Sequence, residues 1–168
     1  MNGFVDGVEQ WLDRGGVPRG MVAEVVYPGA DHKRARMALA RLKDRARVEV
    51  HPYLPLYELA ALCRSAAANA YIRSSFGFHH KLLELLSTER PVLAYPGESA
   101  ESRTLAARTR GVLYSCEIPD EICDALDDCC RRSHGSSSPR VSSGEFSWSA
   151  QAAMLEATLD AAAKRVRR

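Results

Sequence analysis

Near the start of the chain, Phe4, Val5, Val8, Trp11 and Leu12 recur at helical spacing, and Gly15, Gly16 and Pro18 then interrupt the stripe. The pattern predicts a short amphipathic helix. Residues 21–27 form an apolar, β-branched run interrupted only by Glu24 and closed by Pro28 and Gly29, as in a buried strand entering a turn. A helix follows, with Asp31 as its cap and Ala35, Leu39 and Leu42 as its inward stripe against outward Lys33, Arg34, Arg36, Arg41 and Lys43. The alternation continues with a strand at 47–50, a helix through Leu56, Leu59, Ala60 and Cys63, a strand at 68–72 and a helix at 78–86. A strand at 91–95, a helix at 98–108, a small strand at 111–114 and a helix at 119–132 complete the series.

Strands alternating with helices across short connections predict an α/β fold, a doubly wound parallel sheet covered on both faces. Such a domain opens with a strand, yet no strand precedes the first helix here, so the expected sheet lacks its first strand. Residues 1–132 are read as one α/β domain. Residues 133–144, rich in Ser, Gly and Pro, are read as a flexible loop. Residues 145–168 are read as a C-terminal helix packing on the same domain through Trp148, Ala152, Leu155 and Leu159. That helix ends in Lys164, Arg165, Arg167 and Arg168, which complement its dipole or meet an acidic partner or a membrane surface.

Composition narrows the class. With 46% apolar and 26% charged residues, the 168-residue chain has the make-up of one globular domain. A net charge of +2 is too mild to argue for nucleic acid. The five cysteines are odd in number and lack paired Cys-x-x-Cys spacing, so neither a disulfide framework nor a metal site is indicated. The polar opening residues do not read as a signal peptide, and no apolar stretch reaches the length of a transmembrane segment. The expected location is the cytoplasm, peripheral contact with the inner face of a membrane included.

Candidate chemistry concentrates in residues 73–95, which join a strand end, a Gly-containing turn, an amphipathic helix and a strand. In open α/β sheets ligands bind beyond the carboxyl ends of the strands, where helix N-termini offer unpaired N–H groups to anions. Gly77 lets backbone approach a phosphate, Phe78 and His79 lie in the first helical turn, and His79, His80 and Lys81 add positive charge. Glu84, one turn on, is placed to accept hydrogen bonds from a sugar or ribose diol. The competing reading is structural: Phe-Gly-Phe is a common turn, and His-His-Lys serves equally as a solvated helix start.

Ser75, Gly77, Phe78, Leu82, Leu83, Glu84, Pro91 and Val92 resemble, in order and spacing, the donor-site signature of GT-B glycosyltransferases. The likeness is to the group-one and family-four-like enzymes, many of them retaining enzymes of polysaccharide or cell-surface glycan assembly. Residues 25–29, 48–53 with 56–59, and 146–155 resemble other parts of the same C-terminal domain, so the resemblance runs over roughly the whole chain. It implies a nucleotide-sugar-binding domain that takes a nucleotide-diphosphate sugar as substrate and needs no cofactor. Gly77, Phe78 and His79, with Lys81 assisting, would bind the diphosphate, and Glu84 the ribose. His51 and Tyr53 end a strand that resembles the base-lining loop, where backbone contact or stacking on Tyr53 would recognise the base; a loop-packing cluster is the alternative.

Two departures qualify the resemblance. Phe76 stands where many members carry the first Glu of a Glu, seven residues, Glu pattern that contacts the transferred sugar. Relatives with a Lys-Leu-Leu-Glu helix dispense with it. The second departure is the acceptor-binding domain, which is not encoded in these residues. The expected partner is a separate N-terminal acceptor-binding domain or chain, without which transfer is not expected. A stand-alone nucleotide or nucleotide-sugar binding module without catalysis is the alternative function.

Overall fold

The computed structural model describes residues 1–73, 80–133 and 144–166. Helix α1 (Asn2–Asp13) is followed by strand β1 (Glu24–Pro28), helix α2 (His32–Leu39), strand β2 (Arg47–His51) and helix α3 (Leu56–Ser65). Strand β3 (Asn69–Ile72), helix α4 (His80–Leu86), strand β4 (Val92–Tyr95), helix α5 (Ala100–Thr109), strand β5 (Leu113–Ser115), helix α6 (Pro119–Ser133) and helix α7 (Trp148–Val166) complete the order. Every strand and helix expected from periodicity is present, with ends shifted by a few residues. The largest shift is at β1: Met21 and Val22 are 61% and 77% exposed and precede the strand. Their hydrophobicity extended the expected strand beyond the part that pairs.

All the strand pairings are parallel, as the alternation requires, but they form two sheets. β1 pairs with β2 from Glu24↔Arg47 to Pro28↔His51. β4 lies between β3 and β5, with Asn69↔Val92 and Val92↔Leu113 opening the two registers. Successive β4 residues point to opposite sides, as a strand dictates. Val92 and Ala94 enter a cluster with Tyr71, Leu82, Leu86, Leu105 and Ala106, whereas Leu93 enters one with Val5, Val8, Ala35, Leu39 and Ile122. The three-stranded sheet is therefore packed by α4 and α5 on one face and by α1 and α6 on the other. The second cluster spans both sheets, since Val25, Tyr27, Val48 and Val50 also pack against it.

Helix α1 is held from two sides. Arg41 of the 3₁₀ turn after α2 binds Asp6 at 2.7 Å and also pairs with Glu9; Arg45 pairs with Glu9 and Asp13. On its other side Trp11 Nε1 donates to Asp127 Oδ1 of α6 at 2.9 Å. Gly7 makes the α1–α6 approach close: a Cβ there would lie 2.6 Å from both Ile122 Cβ and the Pro119 carbonyl oxygen. Because one of those atoms is backbone, it cannot move aside cheaply. Overpacking costs ~1–3 kcal/mol, and the better helix propensity of alanine returns up to ~1. We expect Gly7→Ala to destabilise the fold by about 1–2 kcal/mol, read from the urea midpoint at unchanged slope. An unchanged midpoint would mean that the two helices are not in close contact at this position.

Several sequence expectations need correction. Asp31 occupies the N-cap position of α2, but its side chain makes no capping bond; the helix begins through its carbonyl, which accepts from Ala35 N–H at 2.9 Å. The apolar stripe of α7 is uncovered: Ala152, Met154, Leu155 and Leu159 are all exposed. The loop expected at 133–144 falls largely outside the described residues, apart from Ser133, which ends α6, and Gly144, which opens a 3₁₀ turn. Among the described residues, no helix is long and apolar enough to cross a membrane. None of the five cysteines is paired in a disulfide; Cys116, Cys123 and Cys129 are buried, and burial pushes the Cys129 thiol up to about 12, where it has little thiolate character.

Candidate functional site at the carboxyl ends of the strands

Parallel pairing brings the carboxyl ends of β3, β4 and β5 to one edge, and the residues leaving them converge on Glu98. The chain leaves β4 through a cis Tyr95–Pro96 bond and then Gly97, whose φ of +64° favours glycine. The Gly97 N–H donates to the Cys116 carbonyl at 2.6 Å, and a Cβ on Gly97 would fall 1.9 Å from Glu117 Oε1. The backbone angle is what calls for glycine, since the atoms close to that Cβ belong to the end of the exposed, flexible Glu117 side chain. The turn buries the Glu98 side chain, leaving the residue only 4% exposed.

That carboxylate is fully engaged. Tyr71, on β3, donates its hydroxyl to Glu98 Oε1 at 2.5 Å. The Ser99 N–H donates to Oε2 at 2.7 Å, and Arg73 Nη1 lies 3.9 Å from the same oxygen. The Glu98 N–H donates to Ser115 Oγ of β5 at 2.7 Å, tying the third strand to the group. Burial alone would raise the pKa of Glu98, but hydrogen bonds from Tyr71, Ser99 and Ser102, with the charge of Arg73, hold it below the ordinary carboxylate value. The Tyr71 hydroxyl is driven up, first by burial and then by Glu98, so it stays a donor. Ser99 also caps α5, accepting from Ser102 N–H at 3.1 Å.

The arrangement fixes a guanidinium at the edge where open parallel sheets bind ligands. Arg73 leaves β3 directly before the segment that leads into α4, and its side chain is 15% exposed. A planar guanidinium held from behind by a carboxylate is suited to phosphate, which it can meet with two parallel N–H groups.

The sequence-derived site residues are placed unevenly. Gly77, Phe78 and His79 lie outside the described residues. Lys81 and Glu84 are exposed on α4, three residues apart, and Leu82 and Leu86 anchor that helix in the core. His51 closes β2: its carbonyl accepts from Gly29 N–H at 3.1 Å, and its ring Nε2 stands 3.4 Å from Glu49 Oε2. Arg47, at 2.5 Å, chiefly holds Glu49 below the usual carboxylate range, and His51 joins these two side chains in a polar row on the surface of the two-stranded sheet. Tyr53 is 75% exposed. Among the described residues, no hydrogen bond or ion pair joins His51 or Tyr53 to Lys81 or Glu84.

In the sequence, Glu98 and Ser99 stand only at the start of the helix expected at 98–108, and Tyr71, Arg73 and Ser115 are not singled out. The available signal was Arg73 and Tyr71, two residues apart at a strand end and therefore on the same side of the strand. No protein-family model and no curated protein matches the chain.

Proposed function

We propose that this chain is the nucleotide-sugar-binding domain of a GT-B-type glycosyltransferase of glycan assembly, its two sheets being parts of one doubly wound sheet. The observation that carries the reading is the buried Glu98–Arg73–Tyr71 group at the carboxyl ends of β3, β4 and β5. It sets Arg73 at the end of β3, directly ahead in sequence of the segment whose Gly77, Phe78, His79 and Lys81 pattern calls for a diphosphate. Glu84, on the solvent side of α4, is free of the core and available to a ribose. A nucleotide-diphosphate sugar serves as the donor, and the acceptor comes with a second domain. The exposed stripe of α7 supports the second part of the reading, since Met154, Leu155 and Leu159 are each at least 60% exposed.

Calorimetry on the folded chain with uridine, guanosine and adenosine diphosphates tests the donor site. We expect one of them to bind and Glu84→Ala to weaken it by about 1–3 kcal/mol, the range of a hydrogen bond to a charged group. The variant should melt with the parent, because an exposed helix residue contributes little to stability. Absence of binding by every diphosphate would remove the donor-site reading; unchanged affinity in the variant would return Glu84 to a solvated helix face.

A further inference from the structure

We infer that the outward face of α2 docks on an anionic membrane surface, with Met37 entering the bilayer boundary and Lys33, Arg36 and Lys43 meeting the headgroups. This docking needs no nucleotide. Residues 31–45 hold six Lys or Arg against two Asp. Arg41 and Arg45 are taken up by the acids of α1, which leaves four cations on the segment. Lys33, Arg34, Arg36 and Lys43 are all exposed, and none makes a hydrogen bond or ion pair among the described residues. Asp31 and Asp44 stand at the two ends of the segment and pair with none of the four.

Packing fixes which face looks outward. Ala35, Leu39 and Leu42 are buried in the cluster that holds Val5 and Val8 of α1. Lys33, Arg36, Met37 and Ala40 follow one another at the three- and four-residue steps that align one side of a helix, and Lys43 continues the series at the end of the 3₁₀ turn. With His32 they line one open groove. Met37 stands among these cations and is 79% exposed. At the far end of the segment the Ala46 N–H donates to the Leu42 carbonyl and the Arg47 N–H to the Ala23 carbonyl, both at 2.8 Å. These bonds bring Met21 and Val22, which are also exposed, beside that end.

Cations set around an uncovered apolar side chain call for a surface that offers negative charge and a nonpolar layer together. A bilayer with anionic headgroups does so at every point: the ammonium and guanidinium groups stay at the headgroups while their stems and Met37 reach the acyl boundary. A polynucleotide would meet the cations but leave Met37 in water. The net charge of +2 over the whole chain also falls short of the dense basic surface that nucleic acid calls for. An acidic protein would have to set carboxylates around an apolar pocket at this one spacing.

Co-sedimentation of the full chain with vesicles tests the docking, using phosphatidylcholine alone and phosphatidylcholine with about one-third phosphatidylserine. The chain should partition onto the anionic vesicles roughly tenfold or more better than onto the neutral ones, and should leave them at about 0.5 M salt, where charge attraction is screened within a few ångströms. Lys33→Gln together with Arg36→Gln should weaken binding roughly 25-fold, since each cation near an anionic surface contributes about fivefold. Met37→Ser should weaken it several-fold at unchanged charge. These exposed positions should leave the melting behaviour of the parent intact. Equal partition onto both kinds of vesicle, or none onto either, would overturn the inference. Unchanged binding in Met37→Ser would do the same, as would tighter retention by a polynucleotide than by the vesicles. So would loss of binding when Lys164, Arg165, Arg167 and Arg168 become glutamine while the α2 variants bind like the parent, because the basic end of the chain would then be the membrane contact.

Discussion

Glu98→Ala is expected to lower the unfolding free energy by about 3 kcal/mol, the low end for removing one partner of a buried charge pair. The alanine deletes the acceptor of the Tyr71 hydroxyl and of the Ser99 N–H and leaves the Arg73 guanidinium without its carboxylate. The low end applies because the ion pair is 3.9 Å long and Arg73 keeps some contact with water. Glu98→Gln keeps the size but loses the charge and one acceptor, because its amide nitrogen cannot accept from the Tyr71 hydroxyl or the Ser99 N–H as the second carboxylate oxygen does; a smaller cost of about 1–2 kcal/mol is expected. The pH dependence gives a second readout. The carboxyl is held below the 4.5 of an unperturbed glutamate, so its contribution is fully present above that pH and is lost as the pH falls through the folded-state pKa. The parent's advantage over Glu98→Gln should therefore be constant from neutrality to about pH 5 and shrink at lower pH. Parallel curves for the two proteins down to pH 3 would show that Glu98 is not held ionised by its neighbours.

The element order was legible because period and punctuation agreed along most of the chain. The run from Pro91 to Tyr95 is apolar at every position for a reason seen only in three dimensions: Val92 and Ala94 meet α4 and α5, while Leu93 meets α1 and α6. Where period and burial diverge, the reading failed. Leu155 and Leu159 carry a helical stripe as regular as that of α1, but periodicity reports an apolar face and not what covers it. The division into two sheets lay beyond local pattern too, because pairing is a long-range choice.

The candidate site was half legible. The turn before α4 drew attention through its composition, and Lys81 and Glu84 stand exposed where helical spacing puts them. The group around Glu98 was hidden because its partners are distant in sequence: Tyr71 lies 27 residues before Glu98 and Ser115 17 residues after it. Nothing local distinguishes a Glu that ends in a buried cage from one that merely begins a helix. What decides it is the Gly97 turn, which folds Glu98 inward against Tyr71 and Arg73.

The chain by itself should transfer no sugar, and it should associate with a second α/β domain when one is supplied. Transfer requires donor and acceptor to be held in one geometry, and that orientation alone is worth ~7–11 kcal/mol when well arranged. On the proposed reading, a donor mouth at the ends of β3, β4 and β5 would provide one wall of such a cleft. Two exposed apolar surfaces are consistent with a missing partner: Leu56 and Tyr57 on α3 are 82% and 73% exposed, and Leu155 and Leu159 on α7 are both 60% exposed. Isolated exposed apolar residues are ordinary, but runs of them along a helix mark contact surfaces. Aspartates replacing Leu155 and Leu159 together should leave the fold unchanged, since neither side chain is packed, and should abolish association with an acceptor domain. The measurement is a transfer assay with a range of nucleotide sugars and glycan acceptors, run beside mass determination in solution. Turnover by a monomer would overturn the half-cleft argument. Slow hydrolysis of the donor without transfer would agree with it, because water needs no second wall to reach the sugar.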